Sequence, residues 1–227
     1  MRVNHIYAIA ATTVLGTATA RPQQGPVDAI IDKAVATYNK TKTSKGTFDQ
    51  AITNPLTGST VKANGEFSQQ RQPARFAFRF LQPKGDLIVG DGKWLWVYLP
   101  SSTPNQVIKV PMSKGGAGGL DLASRFFDSP KTRFTITDAG TATIEGHATH
   151  AVMLKPKAAS EPFTQAKVWL DTADGTLRQF ETVEPSGITR LVTITGVTPN
   201  AIVDPKVFTF KPPKGARIVD QTVLGGR

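Results

Sequence analysis

The sequence predicts a mainly β protein, an antiparallel meander of about a dozen strands whose apolar concave face is covered by helices. Three observations carry this. From Thr47 onward, short segments rich in Val, Ile, Thr and aromatics alternate with Gly, Pro, Asn and Asp at hairpin intervals. One amphipathic helix precedes them. A glycine cluster and a second short amphipathic stretch interrupt them between Met112 and Pro130.

In chain order, residues 1–20 read as a secretory leader. Arg2 opens a basic start, Ile6 to Leu15 form a mostly apolar stretch, and Ala18-Thr-Ala20 offers a small-x-small cleavage site. The mature chain, residues 21–227, reads as one domain that begins with a polar lead over 21–26. Val27, Ile30, Ile31, Ala34, Val35 and Tyr38 then recur at the spacing of one helical face and predict a helix over 26–41. Pro26 suits its first turn, Asp28 its positive end and Lys40 its negative end.

Strands are expected near 46–53, 60–70, 74–81, 86–90, 93–99, 105–110, 132–137, 149–155, 166–171, 176–183, 189–197 and 207–210. Between the sixth and seventh, Gly115, Gly116, Gly118 and Gly119 suggest a hinge. Leu120 to Phe127 follow as a short amphipathic helix.

Composition excludes several classes. With no cysteine among 227 residues there is no disulfide framework, thiolate metal site or lipid-anchored N-terminus. A formal charge of +10 suggests anionic company. The Lys and Arg residues are scattered rather than gathered into a basic arm, so membrane surfaces or acidic proteins fit better than nucleic acid.

Chemistry-bearing motifs are scarce. His147 and His150 stand three apart on a strand, point to opposite faces and have no evident acidic partner, so neither a metal nor a catalytic role is expected. Asp171-Thr-Ala-Asp-Gly175 reads as a hairpin turn rather than a calcium loop. No nucleophile elbow or phosphate loop is present. The stronger signal is aromatic. Phe76, Phe78 and Phe80 share one strand face, as do Trp94, Trp96 and Tyr98 on another strand, which predicts a large aromatic surface. Two helices are scant cover for so large a sheet, so an apolar cavity beneath a movable lid is expected.

Three stretches resemble the LolA family. Leu87-Ile-Val-Gly-Asp-Gly-Lys-Trp-Leu-Trp-Val-Tyr-Leu-Pro100 is similar to its strand, Asp-Gly turn and aromatic strand. Gly65-Glu-Phe67 with Gln72-Pro-Ala-Arg-Phe-Ala-Phe78, and Phe208-Thr-Phe-Lys-Pro-Pro-Lys-Gly215 with Val219-Asp-Gln221, resemble its other signatures in the same order. The resemblance implies a strongly curved, unclosed antiparallel half-barrel with helices over its concave apolar face.

It also implies a non-enzymatic, cofactor-free periplasmic carrier that binds the acyl chains of lipoproteins released from the inner membrane and delivers them to the outer membrane. Implied partners are acylated lipoproteins, an inner-membrane lipoprotein-releasing ABC transporter and an outer-membrane acceptor, with the carrier itself a monomer. A lipid- or lipoprotein-sensing module of the same fold is the alternative. Acyl-chain binding is expected at Ile31, Phe76, Phe78, Phe80, Leu120, Leu122 and Phe126. The family often places Arg immediately before the proline of its aromatic strand as a lid latch. This chain has Gln72 there, which leaves Arg71 or Arg75 as the expected lid contact.

Overall fold

The computed structural model describes residues 25–112, 122–159 and 161–220, with only the backbone of Leu122 and Ala123. The leader over 1–20, the glycine cluster and Leu120 lie outside the described residues. Helix α1 (Pro26–Lys40) opens the fold, with Pro26 at its N-terminus, Asp28 in its first turn and Ile30, Ile31 and Ala34 buried. Strands β1 (Thr43–Thr53), β2 (Thr60–Gln70), β3 (Arg75–Gln82), β4 (Leu87–Gly90), β5 (Trp94–Tyr98) and β6 (Gln106–Pro111) follow. After them come short helices α2 (Leu122–Phe127) and α3 (Pro130–Arg133), then β7 (Phe134–Ile144), β8 (His147–Pro156), β9 (Gln165–Asp171), β10 (Leu177–Val183) and β11 (Thr189–Pro199). A 3-10 turn (Pro205–Phe208) leads to β12 (Arg217–Asp220).

All twelve strands form one unclosed sheet in the order β12-β6-β5-β4-β3-β2-β1-β11-β10-β9-β8-β7. Its pairings are antiparallel except that β12 runs parallel to β6. Bulges at Thr47/Phe48 and at Asn64/Gly65 help bend the sheet. Gly46 sits beside the first of these because a Cβ there would lie 1.9 Å from the Gly196 carbonyl oxygen, closer than any side chain could stand.

Two expectations change. Residues 207–210 were expected as a strand but form the end of a 3-10 turn and an extended tail, and the last strand is 217–220. Asp204 accepts from the Lys206 N–H at 2.9 Å and starts the turn, while Pro212 and Pro213 have no N–H to give a ladder. Strand β7 was expected over 132–137 and runs to Ile144, because its Thr- and Ala-rich second half has little apolar signal.

The core lies mainly on the concave face. Ile30, Ile31 and Ala34 of α1 pack with Phe48, Phe67, Val152, Leu154, Val168, Leu170, Phe180 and Val192 of the sheet. On the opposite face, Ala77, Val89 and Phe208 form a smaller cluster joined by Trp96 and Phe210. The two aromatic rows therefore do not make one surface. Phe76 pairs with Gly90 and Gly90 with Leu95, so Leu95 shares the side of Phe76 and the tryptophans of β5 face the other way. There the tail covers them, with Phe210 5.7 Å from Trp96 and 6.0 Å from Tyr98.

Candidate functional site: an apolar groove under α1

A cavity of about 110 Å³ opens between the C-terminal half of α1, α2 and the concave face of β1, β2, β10 and β11. Its walls include Ala34 and Tyr38 from α1, Phe127 from α2, and Phe67, Leu177, Ile194 and Val197 from the sheet. Its lip is polar: Thr41, Lys42, Thr43, Gln69, Gln70 and Arg71. An apolar floor with a polar rim suits a ligand that is greasy along most of its length and hydrated at one end.

Rings dominate the surroundings. Phe78 and Phe80 each meet Phe48 edge-on, at 5.7 and 5.5 Å, and Phe76 lies 5.8 Å from Phe78. Towards the roof, Phe126 contacts Phe180 at 5.4 Å and Phe163 at 6.0 Å, while Phe127 meets Tyr38 at 5.8 Å. Ring contacts of this kind add area without the directional demands of hydrogen bonds, so they can part and re-form as a roof moves.

The structure gathers Ile31, Phe78, Phe80 and Phe126 into one cluster. Phe76 sits in a neighbouring cluster with Leu95 and presses on Gly90, where an added Cβ would fall 2.3 Å from the ring. None of these five touches the open cavity, whose described walls are their neighbours. Leu120 lies outside the described residues, and Leu122 is placed only as the first residue of α2. The groove residues Tyr38 and Phe127 were legible as parts of amphipathic stretches. Leu177, Ile194 and Val197 were placed in strands without a face.

Helix α1 is pinned along its length. Arg71 stacks 4.0 Å over the Tyr38 ring and donates to the carbonyl oxygens of Tyr38 and Asn39 at 2.8 and 3.1 Å, which satisfies the end of the helix. Lys33 Nζ donates to Thr172 O at 2.7 Å, and the Thr37 hydroxyl donates to Asp174 O, both in the β9–β10 turn. Gly175 of that turn has φ +78°, and a Cβ on it would sit 2.7 Å from the Ala34 nitrogen, so the helix rests directly on backbone. Near the other end, Lys131 of α3 reaches Asp28 and Asp32 at 3.2 and 2.7 Å.

The roof helix α2 has its own fastening. Glu161, in the β8–β9 connection, binds Arg125 of α2 at 3.2 Å and also Arg133 of α3. Arg133 Nη1 in turn donates to the carbonyl oxygens of Arg125 and Asp128 at 2.9 and 3.2 Å. Burial pulls the Arg125 guanidinium below its usual pKa while Glu161 opposes that shift, so the pair is a desolvated one. Arg75, by contrast, keeps a buried Nε with no hydrogen-bond partner among the described residues. No motif announced Glu161.

Replacing Glu161 with glutamine is expected to speed backbone amide exchange across residues 122–133 by about tenfold or more and leave the sheet amides unchanged. Unchanged protection there would mean that the rings alone hold α2.

The two histidines do have acidic partners, contrary to expectation, but different ones. His147 Nδ1 lies 2.9 Å from Asp171 and His150 Nε2 lies 3.1 Å from Asp138. Among the described residues, no three His, Asp or Glu side chains gather in a way that could hold a metal ion. Nor is any helix among them long and apolar enough to cross a membrane.

Fold and groove together define an unclosed half-barrel, a bent sheet with an apolar groove between its concave face and a helical roof. Residues 39–211 match the family model described as outer membrane lipoprotein carrier protein LolA. The chain belongs to this family. It is similar to the outer-membrane lipoprotein carrier protein of Dechloromonas aromatica (strain RCB), with 28% identity over 221 residues covering 97% of this chain and 100% of the relative. The carrier protein of Pectobacterium atrosepticum is 27% identical over 185 residues, covering 81% and 84%. Among solved structures, an uncharacterized conserved protein of Thermus thermophilus shares the fold, with a TM-score of 0.53 and 14% identity over 85% of this chain and 97% of that one.

Proposed function

We propose that the chain is a periplasmic carrier that shields the acyl chains of lipoproteins released from the inner membrane and delivers them to the outer membrane. It acts as a single domain over residues 21–227, exported by the leader over 1–20, and works as a monomer without catalysis or cofactor. It loads from an inner-membrane lipoprotein-releasing ABC transporter and unloads to an outer-membrane acceptor. The observation that carries this reading is the apolar groove between Tyr38, Phe127 and the sheet, in a chain of the lipoprotein carrier family.

Acyl chains exposed to water cost about 0.8 kcal/mol per methylene, so three long chains face a barrier on the order of tens of kcal/mol to free crossing. A groove of about 110 Å³ holds only a fraction of that load. Loading therefore requires α2 to lift, which parts Phe126 from Phe180 and Phe163 and extends the binding surface along the ring cluster toward Phe78 and Phe80. Ile31 and Phe76 back that surface, Leu122 begins the lifting helix, and Leu120 adds a further acyl contact. Arg71 holds α1 in place as the roof moves. Mass spectrometry of material that copurifies from the periplasm tests the proposal. Intact triacylated lipoproteins are the expected result, and free fatty acids or hydrolysis products would overturn it.

A further inference from the structure

Beside the groove's polar lip stands an apolar side chain with almost no cover. Ile202 is 96% exposed, in the segment that leaves β11. It is not a loose residue. Asn200, with φ 53°, accepts from the Lys42 N–H through its side chain at 2.9 Å and donates its own N–H to Thr43 O at 2.7 Å. The Thr43 hydroxyl donates to Ala201 O at 2.7 Å. Three hydrogen bonds thus fix residues 200 and 201, immediately before Ile202, to the strand end that forms the lip.

Cations are frequent at this end of the sheet. Lys42 and Arg71 are lip residues, and the Arg71 N–H donates to Lys42 O at 2.9 Å. Lys45 lies on the adjacent register of β1, opposite Thr198, and Lys40 ends α1 two residues before Lys42. Lys206 follows Ile202 by four positions. The acids in the neighbourhood are Asp204, whose carboxylate accepts from the Lys206 N–H, Asp174, whose carboxylate accepts from the Thr176 N–H, and Glu66, opposite Thr47 and so diagonal to Lys45, which leaves the cations in excess. A protruding aliphatic side chain within a cationic rim is complementary to an anionic bilayer surface: the isoleucine enters the acyl boundary and the lysines meet the headgroup charge.

We propose that this end of the sheet docks the protein directly on an anionic lipid surface, with Ile202 inserted and the groove mouth turned toward the bilayer. The proposal deepens the carrier reading, on which it rests for its purpose. Its test uses bare vesicles without lipoprotein, so its failure would leave the cargo assay untouched.

Flotation of the full chain with phosphatidylethanolamine vesicles containing phosphatidylglycerol measures the docking. Binding is expected to these vesicles, to fall with added salt, and to be weak on pure phosphatidylcholine. Ile202→Ser, and separately Lys42→Gln with Lys45→Gln, are each expected to weaken binding about tenfold. Thermal melting of Ile202→Ser should match the parent, because the side chain has almost no contacts to lose. The control is Leu56→Ser. Leu56 is 89% exposed in the β1–β2 hairpin at the other end of these strands, and its loss is expected to change nothing. Equal binding to phosphatidylcholine, undiminished binding by Ile202→Ser, or loss of binding by Leu56→Ser would each overturn the proposal; the second outcome would assign this end to a protein partner instead.

Discussion

Val197→Trp is expected to fill the groove and, if the groove carries acyl cargo as proposed, to weaken its retention by about a hundredfold. The cavity measures about 110 Å³. With a methylene taken as about the size of a water, roughly 30 Å³, it holds three or four of them. At about 0.8 kcal/mol each, their exclusion costs roughly 3 kcal/mol, which is about two decades in affinity. Val197 lines the cavity and is only partly buried, so the larger ring enters space that is already open. Competition binding with a fluorescent acylated peptide reads the effect, and a melting curve separates it from overpacking. Unchanged affinity in a folded variant would remove this groove from the acyl path.

The second large effect concerns the seat of α1. Asp171→Ala is expected to cost about 3–5 kcal/mol, because it leaves the guanidinium of Arg178 desolvated without its partner. Arg178 donates to Asp171 through Nε and Nη2 at 3.0 and 2.8 Å, and these side chains are only 6% and 12% exposed for Asp171 and Arg178 respectively. Burial by itself would raise the Asp171 carboxyl. The Ala173 N–H, the Arg178 hydrogen bonds and charge, and the charge of His147 outweigh burial and hold its pKa below the usual carboxylate value.

A lowered folded pKa sets the sign. Asp171 stabilises the fold fully above the ordinary aspartate pKa of about 3.9, and its contribution disappears as pH falls through the lower folded value. Urea titrations from neutral to acidic pH should therefore show an acid limb in the parent that is shallower in Asp171→Ala. Parallel limbs would show that other carboxylates govern acid unfolding.

Local pattern explains which parts were readable in advance. Ile30, Ile31 and Ala34 announced α1 because a helix needs only its own period. The Glu145-Gly146 turn was harder to see: Glu145 at φ 49° makes a hairpin where no Asn-Gly or Asp-Gly pair marks one, so the extension of β7 was missed. The separation of the Phe76 and Trp96 rows onto opposite faces depends on register across β4, which no single strand encodes. Glu161 is a further case. Its meeting with Arg125 and Arg133 joins residues 36 and 28 positions away, and nothing in its immediate neighbours distinguishes it from a solvated loop glutamate. The aromatic inventory and an apolar cavity under a helical cover were legible, but the position of the open space beside Phe127 and its walls from Leu177, Ile194 and Val197 were not, because these belong to the assembled faces rather than to any segment.

Helix α1 is seated on the β9–β10 turn through bonds that span 137 to 140 residues of chain. Helix α1 consequently cannot take its seat until a segment about 140 residues further along the chain has folded to meet it. Burial of Ile30, Ile31 and Ala34 is completed only by contacts from Val152 onward, which ties ordering of the opening segment to the late portion of the chain. The contact order of the fold is therefore raised by this one seat.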